Sequence, residues 1–403
     1  MNKRSRRSMS KAASSLVAFA AAVSFAHTAG ADVITDRAAA VLIFPRIIAA
    51  RQVFASALQT EVSATDTEIQ ITNTTSAPLR LSCFYVDATP LCSLSGTACP
   101  VNSFCPLPQD ICLPKWVETD FRIFMTPQQP LAWRVSLGMS GLQFPLDGRD
   151  FNGPGNQNNA GSAIPPLPAH EFPPQMAPPG GTSAVGTFTI AELECIVVDD
   201  AGFGAASNSI KGEATITTSE TIRNLDPPVP FNSAVVERYN AVGIEAIGGD
   251  VNRDNVLELS DALGEYDGCP NVLILENFFD GPEFGPNTLT LVPCQQNLRD
   301  QIPGSTTAQF LVFNEFEQRF STSTLVSCLF SKWLSLIDTN QPGRSIFSAA
   351  VAGTGAGQTR IRGVQGGLIG VLSRGISSVS GVSATNNIHR QGRRDDVDQI
   401  ILP

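Results

Sequence analysis

Histidine is nearly missing from this chain. Three occur in 403 residues, at His27, His170 and His389. A Ser-His-Asp or Cys-His site needs an imidazole held by packing and oriented by a third group. His170 falls in a Pro-rich stretch and His389 in a polar tail before "RRDDVDQ", so both read as solvated loop residues. A multi-His metal site is excluded. There is no C-x-x-C, which removes zinc ribbons and thioredoxin chemistry. There is no G-x-S-x-G elbow and no G-x-x-x-x-G-K-[ST] phosphate loop. "GTGAGQ" (353–358) departs from G-x-G-x-x-G and reads as a flexible turn. No run of about 18 apolar residues exists, so no transmembrane helix is expected. Charge is sparse, at 16% of residues.

What is present begins with an export signal. Lys3, Arg4, Arg6, Arg7 and Lys11 precede a mildly apolar run, Ala12 to Ala26. Ala29-Gly30-Ala31 supplies small residues for cleavage, giving a signal over 1–31 and a mature start at Asp32. The run 5–11, "SRRSMSK", resembles a twin-arginine signal in its Ser, Arg-Arg and Lys, while Met9 and Ser10 depart from the usual Phe-Leu. An ordinary Sec signal with a basic n-region fits as well. Setting aside those five basic residues leaves 22 Lys and Arg against 37 Asp and Glu, a net charge of −15. Such a field repels phosphate backbones, so nucleic acid is not an expected partner.

Gly and Pro number 33 and 28, a turn-rich composition that suits β-sandwiches. All nine cysteines follow the signal, and with an export signal they read as disulfides. Cys92, Cys99, Cys105 and Cys112 are expected to pair among themselves, stapling a Cys-rich loop over 87–114. Cys83 and Cys195 lie in apolar strands and are expected to bridge two sheets. Of Cys269, Cys294 and Cys328 one must stay unpaired.

Alternating and apolar segments predict strands throughout. "AAVLIFPRII" (39–48) carries Pro45, which suggests a strand edge or end. "TEIQITNTTSAPLRLSCFYV" reads as a hairpin turning between Asn73 and Pro78. Residues 151–181 are rich in Gly, Asn and Pro and read as a long exposed loop. "LFSKWLSLID" has room for a short helix. An internal echo links Asn73…Cys83 to Asn314…Cys328, each an apolar strand, an Asn, a polar turn and a strand ending in Ser-Cys. The pattern loosely resembles bacterial immunoglobulin-like surface modules. The expected fold is all-β: two β-sandwich-like (immunoglobulin-like), disulfide-bonded domains, 32–262 and 263–403.

Carboxylates supply two candidate sites. Glu192 and Glu194 share one strand face, followed by Asp199 and Asp200. Glycosidases need two carboxyls about 5 to 10 Å apart across a cleft, whereas neighbours on one strand cannot flank a substrate, so a solvated strand face is expected. Trp116, Trp133 and Trp333 are too dispersed to predict a sugar platform. "GDVNRDNVLELSD" is more specific. Asp250, Asn252, Asp254 and Asp261 stand at positions 1, 3, 5 and 12 of a calcium loop, with Val256 offering its carbonyl. The stretch resembles one half of a dockerin repeat, which implies calcium binding and docking. It departs in having Asn255 for the sharp-turn Gly, a truncated following helix and no second repeat. The alternation of Val256, Glu258 and Ser260 with Leu257 and Leu259 favours a hairpin tip instead, with "NVLEL" pairing back onto "VGIEAI".

The sequence therefore predicts an exported, non-enzymatic structural or binding module of the cell surface or periplasm, with a protein or carbohydrate partner. A carboxylate-dependent hydrolase of extracellular polysaccharide and a calcium-dependent adhesion or docking module are the alternatives.

Overall fold

Strands dominate because β-branched and aromatic residues alternate with polar ones in short runs separated by Gly, Pro and Asn. The computed structural model describes residues 37–55, 59–99, 112–113, 115–139, 163–171, 183–224, 230–280, 287–375 and 383–403. The segment expected to be an export signal, Cys105 and most of residues 151–181 lie outside them. Val33–Pro403 forms one compact unit.

The first half contains β1 (Val41–Ala55), β2 (Gln59–Asn73), β3 (Leu79–Asp87), β4 (Leu91–Cys92), β5 (Cys112–Leu113), β6 (Val117–Met125), β7 (Pro130–Arg134), β8 (His170–Glu171), β9 (Ser183–Val198), β10 (Ile210–Asn224), β11 (Pro230–Asn240) and β12 (Val242–Ile244). Apart from the β4–β5 pair, they form one antiparallel sheet in the order β11-β10-β2-β1-β9-β3-β6, with β12 on β1, β7 on β2 and β8 on β9. β1 and β2 pair only through Ala50–Ala55 and Thr60–Thr65. Beyond that point β2 continues against β7 and β10, while β1 continues against β9 and β12. The two arms diverge and enclose a first core that includes Phe44, Ile71, Tyr85, Trp133 and Leu193.

Three expectations are corrected here. Pro45 is not at an edge, because β1 lies inside the sheet. The register with β9 shifts between Phe44 and Ile47, a bulge that accommodates a residue without an N–H. β2 and β3 are not a hairpin either, since β3 pairs with β9 and β6. Their connection is a corner organised by buried Asn73, whose amide donates to Ala77 O and Thr126 O and whose Oδ1 accepts from Thr75 N. Finally, Cys83 and Cys195 are bonded, but as direct partners on neighbouring strands of one sheet, not across two.

The second half contains β13 (Val256–Leu259), β14 (Pro270–Phe278), β15 (Thr288–Pro293), β16 (Gln296–Asn297), β17 (Ser305–Asn314), β18 (Arg319–Ser327), β19 (Phe330–Trp333), β20 (Ala356–Gly363), β21 (Leu368–Gly375), β22 (Ser383–Asn387), β23 (His389–Arg393) and β24 (Asp398–Ile401). They make a five-stranded sheet β18-β17-β20-β14-β23, a four-stranded sheet β19-β15-β21-β22 and a small sheet β13-β24-β16. Phe310, Val312 and Ile361 of the first and Leu289, Leu291 and Leu372 of the second share one core. β17 and β18 are a true hairpin, and buried Asn314 caps their turn by accepting from Phe316 N and Gln318 N. "WLSLI" forms a single 3₁₀ turn, Leu334–Leu336.

A further core draws on both halves. Val41, Phe84, Val86 and Ile196 of the large sheet pack with Leu257, Val292, Ile369 and Ile400. Cys99–Cys112 and Cys269–Cys294 are bonded, Cys92 is also in a disulfide, and Cys328 is free and buried.

Candidate functional site

The D-x-N-x-D loop folds in on itself. Asp250 is buried, and its two carboxylate oxygens accept from Asp254 N at 3.2 Å and Asn255 N at 3.0 Å. Asn252 Oδ1 accepts from Asp254 N at 3.1 Å, and Asp254 Oδ1 accepts from Val256 N at 2.8 Å. Arg253 and Asn255 both have positive φ, 58° and 64°, and Asn tolerates this conformation better than most residues. Asp261 is engaged elsewhere, by Gly268 N at 3.0 Å and Arg393 Nη1 at 2.5 Å. Burial opposes its charge, but these two donors hold its carboxyl below the ordinary value.

The acid that accompanies the loop is Glu265, which the sequence spacing did not single out. It is buried and accepts from Glu258 N at 3.0 Å. Burial raises its pKa, and the charges of Glu258, Asp250 and Asp254 add to the rise. "VLEL" after the loop is a strand, as its alternation implies, but its partner is β24 and not "VGIEAI". In this pairing Leu257 and Leu259 are both fully buried. Among the described residues, the one group of three metal-ligating atoms within 4.8 Å of each other is Cys269, Cys294 and Asp398, and those sulfurs are joined in a disulfide.

Glu192 and Glu194 do not form a solvated face. Both are 0% exposed, because their side of β9 is the side that the second half covers. In register they share that face with Val86 and Phe84 of β3, and beyond these with Glu118 and Asp120 of β6. Gln296 Nε2 donates to Glu192 Oε1 at 2.6 Å. Glu192 Oε2, both oxygens of Glu194 and of Glu118, and Gln296 Oε1 have no partner. Burial pushes Glu194 up to about 7, and pushes Glu192 well up with the Glu194 charge adding to it. Burial and the nearby Asp120 push Glu118 up to about 9. Both shifts have the direction expected for carboxyls that do not readily ionise together in a low dielectric. The free Cys328 thiol is raised by the same burial, with Glu192 as the next cause. Neither Glu192 nor Glu194 reaches solvent, so the pair meets no extended substrate in this conformation.

His170 is likewise not a solvated loop residue. It lies on β8, and its Nε2 is 2.6 Å from the buried Asp87 Oδ2, with Lys115 Nζ at 3.9 Å from the same oxygen. Thr89 Oγ1 donates to Asp87 Oδ1. The cluster ties β8 and the start of the Cys-rich loop to β3. Trp133 is buried and donates to Tyr85 Oη at 2.6 Å. Trp116 packs on the second core and Trp333 lies on β19, so the three tryptophans form no common platform.

An open site lies on the outer face of the five-stranded sheet. Register aligns Ser321, Leu311, Arg360, Ile274 and His389 in one row, and Ser323, Gln309 and Arg362 in the next. Arg319, Phe313, Gln358 and Glu276 form the row on the other side. The alternate residues, Phe310, Val312 and Ile361, point into the core. A shallow groove of about 740 Å³ runs over this face, lined by Gln309, Leu311, Ser321, Ser323, Arg360 and Arg362 among others. A second depression of about 350 Å³ adjoins it at Phe313, Gln358 and Glu276. Arg360 lies over the Phe313 ring, 6.0 Å from its centroid. Glu276 and Glu315 line that second end together with Arg374. Sequence reading missed this face because Arg at i and i+2 on a strand looks like any solvated edge until the neighbouring strands are placed. No protein-family model matches the chain, and no curated protein matches it.

Proposed function

We propose that the chain is an exported, non-enzymatic binding module of the cell surface or periplasm, built as two sandwich-like domains. It engages its partner through the outer face of β18-β17-β20-β14-β23. The observation that carries this reading is the contrast in access. The carboxyl pair suited to acid–base chemistry is sealed in the interior. The open groove instead presents guanidinium, amide and hydroxyl groups beside Leu311 and Ile274, a surface for recognition and not for proton transfer. The N-terminal signal pattern and the disulfides support an oxidising, exported location. Hydroxyl-radical footprinting of the secreted protein, alone and with isolated cell-envelope material, tests the surface. Protection of Leu311 and Phe313 is expected. Protection confined to other segments overturns the assignment.

A second reading, a calcium-dependent docking module, is favoured by one feature. Asp250, Asn252 and Asp254 stand on a single tight loop whose side-chain oxygens accept from its own backbone N–H groups. Calorimetric calcium titration of the wild type and of Asp254→Ala tests it. Micromolar to millimolar binding lost in the variant supports the reading, and no heat from the wild type ends it.

A further inference from the structure

We infer that the outer face of the five-stranded sheet binds an anionic polysaccharide, with Arg360 and Arg362 taking its carboxylate or sulfate groups. The inference rests on the reading that this face is the binding surface and goes on to name its ligand class. Charge supplies the first argument. The chain is acidic overall, at −10, yet Arg360 and Arg362 stand exposed in the groove. Neither makes a hydrogen bond or ion pair with any described residue. Uncompensated guanidinium groups on an acidic protein are positioned for an external anion, and their planar forks match oxyanions in a bidentate manner.

Spacing supplies the second argument. Residues two apart on a strand project from one face at about 6.6 Å, so the two cations lie side by side along β20 and address successive charged units of a polymer. Five strands about 4.8 Å apart give a surface roughly 19 Å wide. That is wider than one small anion needs, and the groove is open and not enclosed. The residues on the flanking strands supply the third argument. Gln309, Ser321 and Ser323 offer donors and acceptors for hydroxyl groups. Leu311 and Ile274 offer apolar ground for the C–H faces of sugar rings. A lipid headgroup or a nucleic acid would need a broader basic field.

The test is binding of the secreted, disulfide-intact protein to alginate, dextran sulfate and neutral dextran at low and physiological salt. Tighter binding to the charged polymers than to dextran, weakening with salt, is expected. Comparing alginate with dextran sulfate tells carboxylate from sulfate. The double variant Arg360→Gln/Arg362→Gln should weaken the interaction roughly 10- to 100-fold. Arg238→Gln, on β11 in the other half, removes one positive charge elsewhere and should leave it unchanged. Circular dichroism and urea unfolding check that the variants fold. Equal loss in Arg238→Gln, or full binding by the double variant, overturns the inference. Equal binding to neutral dextran that maps to this face overturns the ligand class while leaving the surface assignment standing. Equal or tighter binding to anionic phospholipid vesicles or DNA overturns it. So does a concentration-dependent dimer that Arg360→Glu dissociates, because the occupant is then a second copy of the chain.

Discussion

Two charged faces of this protein are written the same way and do opposite things. Glu192 and Glu194 stand at i and i+2 on β9, and Arg360 and Arg362 at i and i+2 on β20. The glutamates are sealed under the second half of the chain and are raised in pKa by that burial. The arginines meet solvent and face a groove. The period of two that places each pair on one face is local. Whether that face becomes a strained interior or a binding surface depends on what packs over it.

The sharpest way to break the comparison is to move the charge by one position. Ile361 lies between the two arginines and is 1% exposed. Ile361→Arg places a guanidinium in the core shared by the two sheets and should cost more than about 4 kcal/mol, or abolish folding. Urea denaturation or soluble yield after export measures it.

The next effect is pH dependence. The carboxyls of Glu194 and Glu118 are raised from 4.5 to about 7 and about 9. The folded state therefore holds protons that the unfolded state releases. Their contribution to stability is complete below pH 4.5 and is lost as pH rises through 7 and then 9. Urea midpoints should fall from pH 5 to pH 9. Glu194→Gln should flatten part of that slope and be the more stable protein at the alkaline end. A flat wild-type profile would contradict the buried pair.

A comparable effect belongs to the opposite side of β9. Cys195 points away from Glu194 into the first core and bonds Cys83 across a span of 112 residues. Cys83→Ala/Cys195→Ala should lose about 2–4 kcal/mol, independently of pH, as the same melts will show. The smallest effect is at the groove. Arg360→Gln and Arg362→Gln should change stability by less than about 0.5 kcal/mol while weakening polysaccharide binding, so activity and stability separate there.

Much of the strand content was legible because strands announce themselves through alternation. "QFLVFNEFEQRF" reads as a hairpin and is one, since its Asn314 turn is short enough to close locally. "EIQITNTTSAPLRLSC" has the same outline, yet its strands separate, because the partners of β3 lie about 40 and 110 residues away on β6 and β9. The loop at Asp250 was legible as a turn ahead of a strand, but the strand's partner, β24, was not. Asp261 looked like its closing ligand by spacing and is instead held by Arg393, which belongs to a strand 132 residues further on.

The amino-acid pattern by itself determined the all-β class and the disulfides, because those follow from residue type and local period. It also determined that Asp250, Asn252 and Asp254 crowd one loop, since six residues leave the backbone little choice. Only the tertiary structure decided that Glu192 and Glu194 are interior, that His170 grips Asp87 and that Arg360 and Arg362 line a groove. Each of those outcomes depends on which distant strand arrives to cover a face, and burial of a charge is a property of the neighbours that remove its water.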